Sequence, residues 1–143
     1  LIVNIGSVAG IFSIPFQSMY SAGKFALESY TETLRMEIRP FGIKAALIDP
    51  GDIRTGFTAA RQYTAATNEG SAYFAAFNKA VKAMEKSEMN GPGPEIVARC
   101  LLRILKKKSP PVRTIVGFDY KLLVFLKRFL PARAVEYALM KMY

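Results

Sequence analysis

Histidine is absent from the 143 residues, and Cys100 is the single cysteine. Without an imidazole base, Ser-His-Asp and Cys-His catalysis are excluded. One thiol and no histidine also leave too few ligands for the usual zinc sites. A lone cysteine forms no internal disulfide, so a reducing, cytoplasmic compartment is the default expectation. No stretch of about eighteen uncharged apolar residues occurs, so no transmembrane helix is expected. Acid–base chemistry here must draw on Tyr, Lys, Asp or Glu.

The residues present fit a soluble globular domain with a core of its own, at 51% hydrophobic and 22% charged. The opening LIVNIG starts without methionine inside an apolar run, which suggests a fragment whose N-terminal part is missing. The net charge of +9 is uneven. Residues 1–98 balance nine basic against nine acidic side chains, while residues 99–143 hold eleven Lys/Arg against only Asp119 and Glu136. An acidic partner for the tail, such as an anionic membrane surface, fits that asymmetry. No interleaving of aromatic and basic residues suggests nucleic-acid stacking, so no nucleic-acid partner is expected.

Leu1 to Gly6 reads as a buried parallel-type strand, with Ser7 at its C-terminal end. Gly10 and Pro15 make Val8 to Ser18 a loop. Ser18 is the expected cap of a helix running to about Arg39. Its apolar stripe is Ala22, Ala26, Leu27, Tyr30, Leu34 and Ile38, and Pro40 and Gly42 stop it. Ile43 to Ile48 is a second buried strand, and Asp49-Pro50-Gly51-Asp52 turns sharply off its end. Strand, helix and strand make a βαβ unit, hence a parallel sheet. Both special loops then leave the same sheet edge, where open α/β sheets bind ligands.

After a weakly periodic stretch, a helix is expected over 71–88 with Phe74, Phe77, Val81 and Met84 on one face. Tyr73, Phe74 and Phe77 are candidates for a lid over an apolar substrate, or for plain core. Another helix begins at Pro94-Glu95 and ends in Lys106-Lys107-Lys108. Val112 to Gly117 is a third strand. Residues 119–143 form a basic, apolar helical extension to a 1–118 domain, in two short helices split at Pro131. The first of them has Lys121, Lys127 and Arg128 around an apolar body. It could cover a substrate cleft, pack a dimer, lie on a membrane surface, or pack on the domain with its lysines solvated.

The chemistry concentrates between Ser7 and Lys24. Tyr20 and Lys24 are i and i+4 on one helix and share a face. A phenol has a pKa of about 10, and a nearby ammonium stabilises the phenolate and lowers it. Such a pair exchanges a proton with a substrate oxygen near neutral pH. The Ser7 hydroxyl, from the neighbouring strand end, can bond the same oxygen, and no covalent nucleophile is required.

Asn4-Ile5-Gly6-Ser7, Tyr20-Ser21-Ala22-Gly23-Lys24 and Pro50-Gly51-Asp52-Ile53-Arg54-Thr55 together resemble the catalytic half of the short-chain dehydrogenase/reductase family, in register over residues 1 to about 57. The resemblance implies the C-terminal half of a Rossmann-type doubly wound parallel sheet. It implies Tyr20 as general acid/base and Lys24 as the residue that tunes it and holds the nicotinamide ribose. Ser7 would orient the substrate carbonyl or alcohol. Pro50 and Gly51 would shape the turn against the nicotinamide ring, unless they are only a tight turn. Ile53 (main chain) and Thr55 would bind the carboxamide. The implied cofactor is NADP or NAD, with NADP slightly favoured.

The family's glycine-rich pyrophosphate loop, its cofactor-selecting residue and its relay asparagine are not among these residues, so the fragment alone is expected to be inactive. Phe25-Ala26-Leu27-Glu28 and Asp52-Ile53-Arg54-Thr55 are similar to the branch acting on lipid-like alcohols and ketones. Alternatives are an inactive binding or membrane-surface protein, and an epimerase or dehydratase of the extended relatives. The implied assembly is a homodimer or homotetramer through the far face of the Tyr–Lys helix (Tyr30, Thr33, Met36, Glu37).

Overall fold

The computed structural model describes all residues, 1–143. One parallel sheet runs in the order β1 (Ile2–Ile5), β2 (Ala45–Pro50), β3 (Arg113–Val116). Parallel neighbours need crossovers. Helix α1 (Ser18–Glu37) supplies the first, and α2 (Phe74–Asn90) with α3 (Glu95–Leu105) the second. Helices α4 (Phe118–Lys127) and α5 (Ala132–Met142) follow β3 and part at Pro131 as expected. No helix is long and apolar enough to cross a membrane.

β2 is the centre. Ile5 pairs with Ile48 on one side, and Pro50 with Val116 on the other. Ala45 through Asp49 are all buried, as in a strand covered on both faces. β1 leaves an open edge on which Ile2 and Ile5 are exposed. On the α3 face, Ala46, Ile48 and Val116 meet Ile104 in an apolar core that Val97 and Leu101 extend.

The α1 face is polar, which corrects the expected stripe. Ala22, Ala26 and Tyr30 are exposed, and the buried residues of α1 are Ser21, Glu28 and Thr31. The sheet face they meet explains this. Asn4 donates to Thr31 Oγ1 (2.8 Å), Arg113 pairs with Glu28 and Glu32, and Asp49 lies beside them. Buried polar groups require polar partners, so that surface selects polar helix residues. Arg35 completes the dock by donating to the carbonyls of Ala45 and Pro110.

Several boundaries shift. Ser18 is the first helical residue rather than the cap, and Gln17 takes the cap position without a side-chain bond. The loop before α1 contains a 3-10 turn at Val8–Gly10. Gly42 adopts φ 69° and turns the chain out of a 3-10 segment at Arg39–Phe41, so Ile43 stays exposed and β2 begins later. β2 runs on through Pro50, whose missing N–H is tolerated because it ends the strand.

Candidate active site

Ser7 follows β1 and caps the 3-10 turn, its Oγ accepting from the Ala9 N–H (3.1 Å). The turn is crowded at Gly6, where a Cβ would lie 2.0 Å from Asp49 Oδ1, so any side chain there would have to displace the buried carboxyl. One face over, α1 starts where Ser21 Oγ accepts from the Ile14 N–H (3.3 Å), which ties the helix to the loop. This places Tyr20 and Lys24 beside the β1 end. Lys24 Nζ donates to the Ile5 carbonyl (3.0 Å) and stands 5.7 Å from the Tyr20 ring centroid.

The turn after β2 is held from below. The Tyr120 ring of α4 occupies the space where a Cβ of residue 51 would be, at 2.0 Å. Tyr120 OH donates to Asp52 Oδ2 (2.6 Å), and Ser87 of α2 donates to the same oxygen. Gly51 is therefore fixed by a close ring approach as well as by a tight turn.

These elements enclose an open cleft of about 490 Å³ at the C-terminal ends of β1 and β2. Ser7, Tyr20, Lys24, Pro50, Gly51, Ile53 and Thr55 all line it, so every site residue expected from the sequence meets in one place. Thr55 is exposed, and its Oγ1 accepts from the Phe57 N–H (3.2 Å). Of the two alternatives for Tyr73, Phe74 and Phe77, lid or core, the core one describes Phe77, which packs against Ala80, Val81 and Met84. Tyr73 is exposed, and Phe77 packs edge-on against Phe16 and Tyr63 at 5.9 and 5.8 Å. None of Tyr73, Phe74 and Phe77 lines the cleft. The aromatic beside the Tyr20 ring is Phe57, 6.1 Å between centroids. Nothing marked Phe57 in advance, because it lies in the least periodic stretch of the chain. Glu88 and Tyr143 also line the cleft unforeseen.

Burial sets the titration of the surrounding groups. Asp49 is pushed up to about 8, first by desolvation and then by the Glu28 carboxylate beside it, with Arg113 opposing. Tyr120 is raised by burial and by its bond to Asp52, and Tyr143 by burial and by the Asp52 and Glu88 carboxylates. Both phenols therefore stay neutral at physiological pH. Lys127 is lowered by burial. Its ammonium turns inward, donating to the Ile11 carbonyl and lying 5.0 Å from the Phe12 ring centroid, where a solvated lysine was one expectation.

A parallel sheet with its ligand cleft outside the carboxyl ends of the strands defines an α/β protein of the nucleotide-binding architecture. The profile of the short chain dehydrogenase family matches residues 1–66. A protein of Bacteroides thetaiotaomicron named 3-ketodihydrosphingosine reductase is 41% identical over 143 residues, covering 99% of this chain and 53% of that one. A short chain dehydrogenase/reductase from Burkholderia phymatum, solved in complex with NAD, superposes with a TM-score of 0.72 at 26% identity, over 90% of this chain and 46% of that one. A short-chain dehydrogenase from Streptomyces avermitilis gives 0.65 at 28% identity, over 97% and 48%. The chain belongs to the short-chain dehydrogenase/reductase family. It spans about half the length of the curated relatives it matches.

Proposed function

We propose that the whole protein is an NAD(P)-dependent oxidoreductase interconverting an alcohol and a ketone or aldehyde on an apolar, lipid-like substrate. The observation that carries this reading is the convergence of Ser7, Tyr20 and Lys24 with the Pro50-Gly51 turn on one cleft. The fit to a nicotinamide riboside rests on the donors. Lys24 offers an ammonium for ribose hydroxyls, Thr55 a hydroxyl and Ile53 a main-chain amide for the carboxamide. About 490 Å³ is also ample for the two rings and a reacting carbonyl. When bound, that group supplies or accepts the hydride.

The chain's own residues do the rest. Ser7 Oγ and Tyr20 OH bond the carbonyl oxygen and polarise it. In the reductive direction Tyr20 gives its proton to the oxygen as negative charge develops there, and in the oxidative direction it takes the proton back. Lys24, one helical turn away, stabilises the charge left on the Tyr20 oxygen. Phe57 and Tyr143 add apolar surface to the wall of the cleft.

Two observations support an apolar substrate. The relative at 41% identity is named 3-ketodihydrosphingosine reductase. A second cavity of about 110 Å³ is lined almost wholly by apolar side chains, among them Phe12, Leu123 and Leu139, and shares Val8, Ile14 and Tyr143 with the reaction cleft. The exposed far face of α1, including Tyr30 and Met36, supports a homodimer or homotetramer contact. With Lys127 turned inward, the exposed Lys121 and Arg128 beside the exposed Leu122 and Phe125 are what support peripheral contact with an anionic membrane.

The test is oxidation of NADPH or NADH by the whole protein with long-chain and short-chain ketones. Consumption that follows chain length, and is lost in Tyr20→Phe, supports the reading. Absence of turnover with either dinucleotide across an alkyl-ketone series sinks it. The 143 residues alone are expected to bind dinucleotide weakly, and tight binding in a fluorescence titration would contradict that.

A further inference from the structure

The α1 face of β2 carries a carboxyl without a donor. Asp49 is fully buried, and neither of its oxygens has a hydrogen-bond partner; Glu28 Oε1 is buried and unpartnered as well. The one cation in reach is already engaged. Arg113 Nε donates to Glu28 Oε2 (2.7 Å), and its Nη2 to the same oxygen and to Glu32 Oε1 (3.1 Å). Arg113 Nε lies 3.6 Å from Asp49 Oδ2, outside hydrogen-bond distance.

The titratable groups around Asp49 are therefore few. α1 brings Glu28, with Glu32 behind the same guanidinium, and β3 brings Arg113. β1 brings no titratable group; just past it the Gly6 backbone packs against Asp49 Oδ1, and the Ser7 N–H favours the charged carboxyl without reaching hydrogen-bond geometry. α3 packs on the opposite face of the sheet, against Ala46 and Ile48. One guanidinium thus faces three carboxyls, two of them buried. A second buried anion there is strongly unfavourable. One proton between Asp49 and Glu28 removes that charge and supplies the missing donor, since a neutral carboxyl has an O–H to give.

The same carboxyl is wedged against the turn that carries the site. It contacts Gly6 and faces the Ser7 amide, while the Ile5 carbonyl one residue earlier receives Lys24 Nζ. We propose that Asp49 is a positioning residue: sharing a proton with Glu28, it fixes the Ile5–Ser7 turn and so sets the Ser7 hydroxyl and the Lys24 ammonium. It does not line the cleft. The inference rests on the roles proposed above for Ser7 and Lys24. Loss of the shared proton places an anion beside Ser7 that Glu28 repels and Arg113 attracts, so the turn shifts and turnover declines on the alkaline side.

The experiment has a binding-independent arm and a kinetic arm, both on the whole protein. Carboxyl-13C aspartate labelling gives the Asp49 signal, identified by its loss in Asp49→Asn. It is expected to titrate well above the ordinary carboxylate range, and titration within that range overturns the proposal. This readout needs no turnover, so it stands or falls separately from the oxidoreductase reading. In the kinetic arm, kcat for alcohol oxidation is followed against pH, the direction in which Tyr20 acts as base and its own deprotonation gives no alkaline limb. The parent protein shows an alkaline limb, and Asp49→Asn, a permanent neutral analogue, lacks it. Glu28→Gln removes the like charge and moves the limb to lower pH. A merely structural role would lower stability and leave the limb where it was, so superimposable profiles refute the assignment. If Asp49→Asn does not fold, the Glu28→Gln profile and the change it makes in the aspartate titrations decide the question.

Discussion

Lys24 holds its ammonium 5.7 Å from the centre of the Tyr20 ring while bonding the Ile5 carbonyl at 3.0 Å. The pair on α1 is thus anchored to the end of β1. The strand backbone places the lysine, and their shared helix places the tyrosine beside it. Positioning of this kind is what an acid–base pair needs to act on one substrate oxygen.

Replacement of Tyr20 by Phe keeps the ring, its contact with Phe57 and the lysine beside it, and removes only the hydroxyl. Turnover of the whole protein is expected to fall by roughly 10²–10⁴, the usual contribution of a general acid, with dinucleotide affinity little changed. Lys24→Met is expected to lower both. Steady-state kinetics paired with fluorescence titration of NAD(P)H separates the two effects. A Tyr20→Phe enzyme retaining most of its kcat would remove Tyr20 from the proton path.

Gly51 and Tyr120 compete for one space. In Gly51→Ala the new methyl would enter the Tyr120 ring, so the variant is expected to lose about 1–3 kcal/mol, the usual penalty of overpacking. Tyr120→Leu alone loses the bond to Asp52. The double variant is expected to be less destabilised than the sum, with a coupling of about 0.5–3 kcal/mol between directly contacting residues. Urea denaturation of the four proteins measures the cycle, and strict additivity would show that the ring does not set the glycine.

Asp49 predicts how stability depends on pH. Its native value lies near 8 against 3.8 for a free carboxyl. Between those values the folded protein keeps a proton that the unfolded chain has released, so unfolding releases a proton and stability falls as pH rises. The slope from this group reaches at most about 1.4 kcal/mol per pH unit, one proton's worth. Thermal unfolding from pH 5 to 8 should show the decline, and Asp49→Asn should flatten it. A melting temperature that rises across this window would mean that Asp49 is ionised in the native state.

Most of the sheet, and the meeting of the expected residues on one cleft, were legible in the sequence for a simple reason. Strand ends, the Tyr–Lys helical spacing and the Pro-Gly turn are local signals, and the βαβ rule puts them on one edge. What was not legible depends on contacts between distant residues. Glu28 and Thr31 are buried only because Asn4, Asp49 and Arg113 turn a polar face toward α1. Lys127 leaves solvent only because the Ile11 carbonyl and the Phe12 and Phe25 rings, far away in sequence, receive it. Phe57 stands beside Tyr20 because the non-helical segment before α2 folds back over it, and no periodicity announces that path.

That segment has a clamp. Arg61 bonds Glu85 at 3.2 Å and Glu88 at 2.8 Å on α2, and Thr58 donates to Glu88 as well. The Arg61 and Glu88 side chains are only 15% and 11% exposed, so the pair is mostly shielded from screening. Arg61→Met strands the Glu88 carboxylate at the wall of the cleft. The uncompensated charge, rather than the lost bonds, sets the penalty, expected at roughly 1–3 kcal/mol for a pair that is not fully buried. Adding Glu88→Gln removes that charge, so the double variant is expected to recover much of the loss. Hydrogen exchange locates the effect. In Arg61→Met the amides of residues 56–66 should exchange faster while those of β2 keep their protection. KM for an apolar ketone should also rise more than kcat falls, since Phe57 would no longer be held against Tyr20. Unchanged exchange in the loop would show that the segment keeps its place without the clamp.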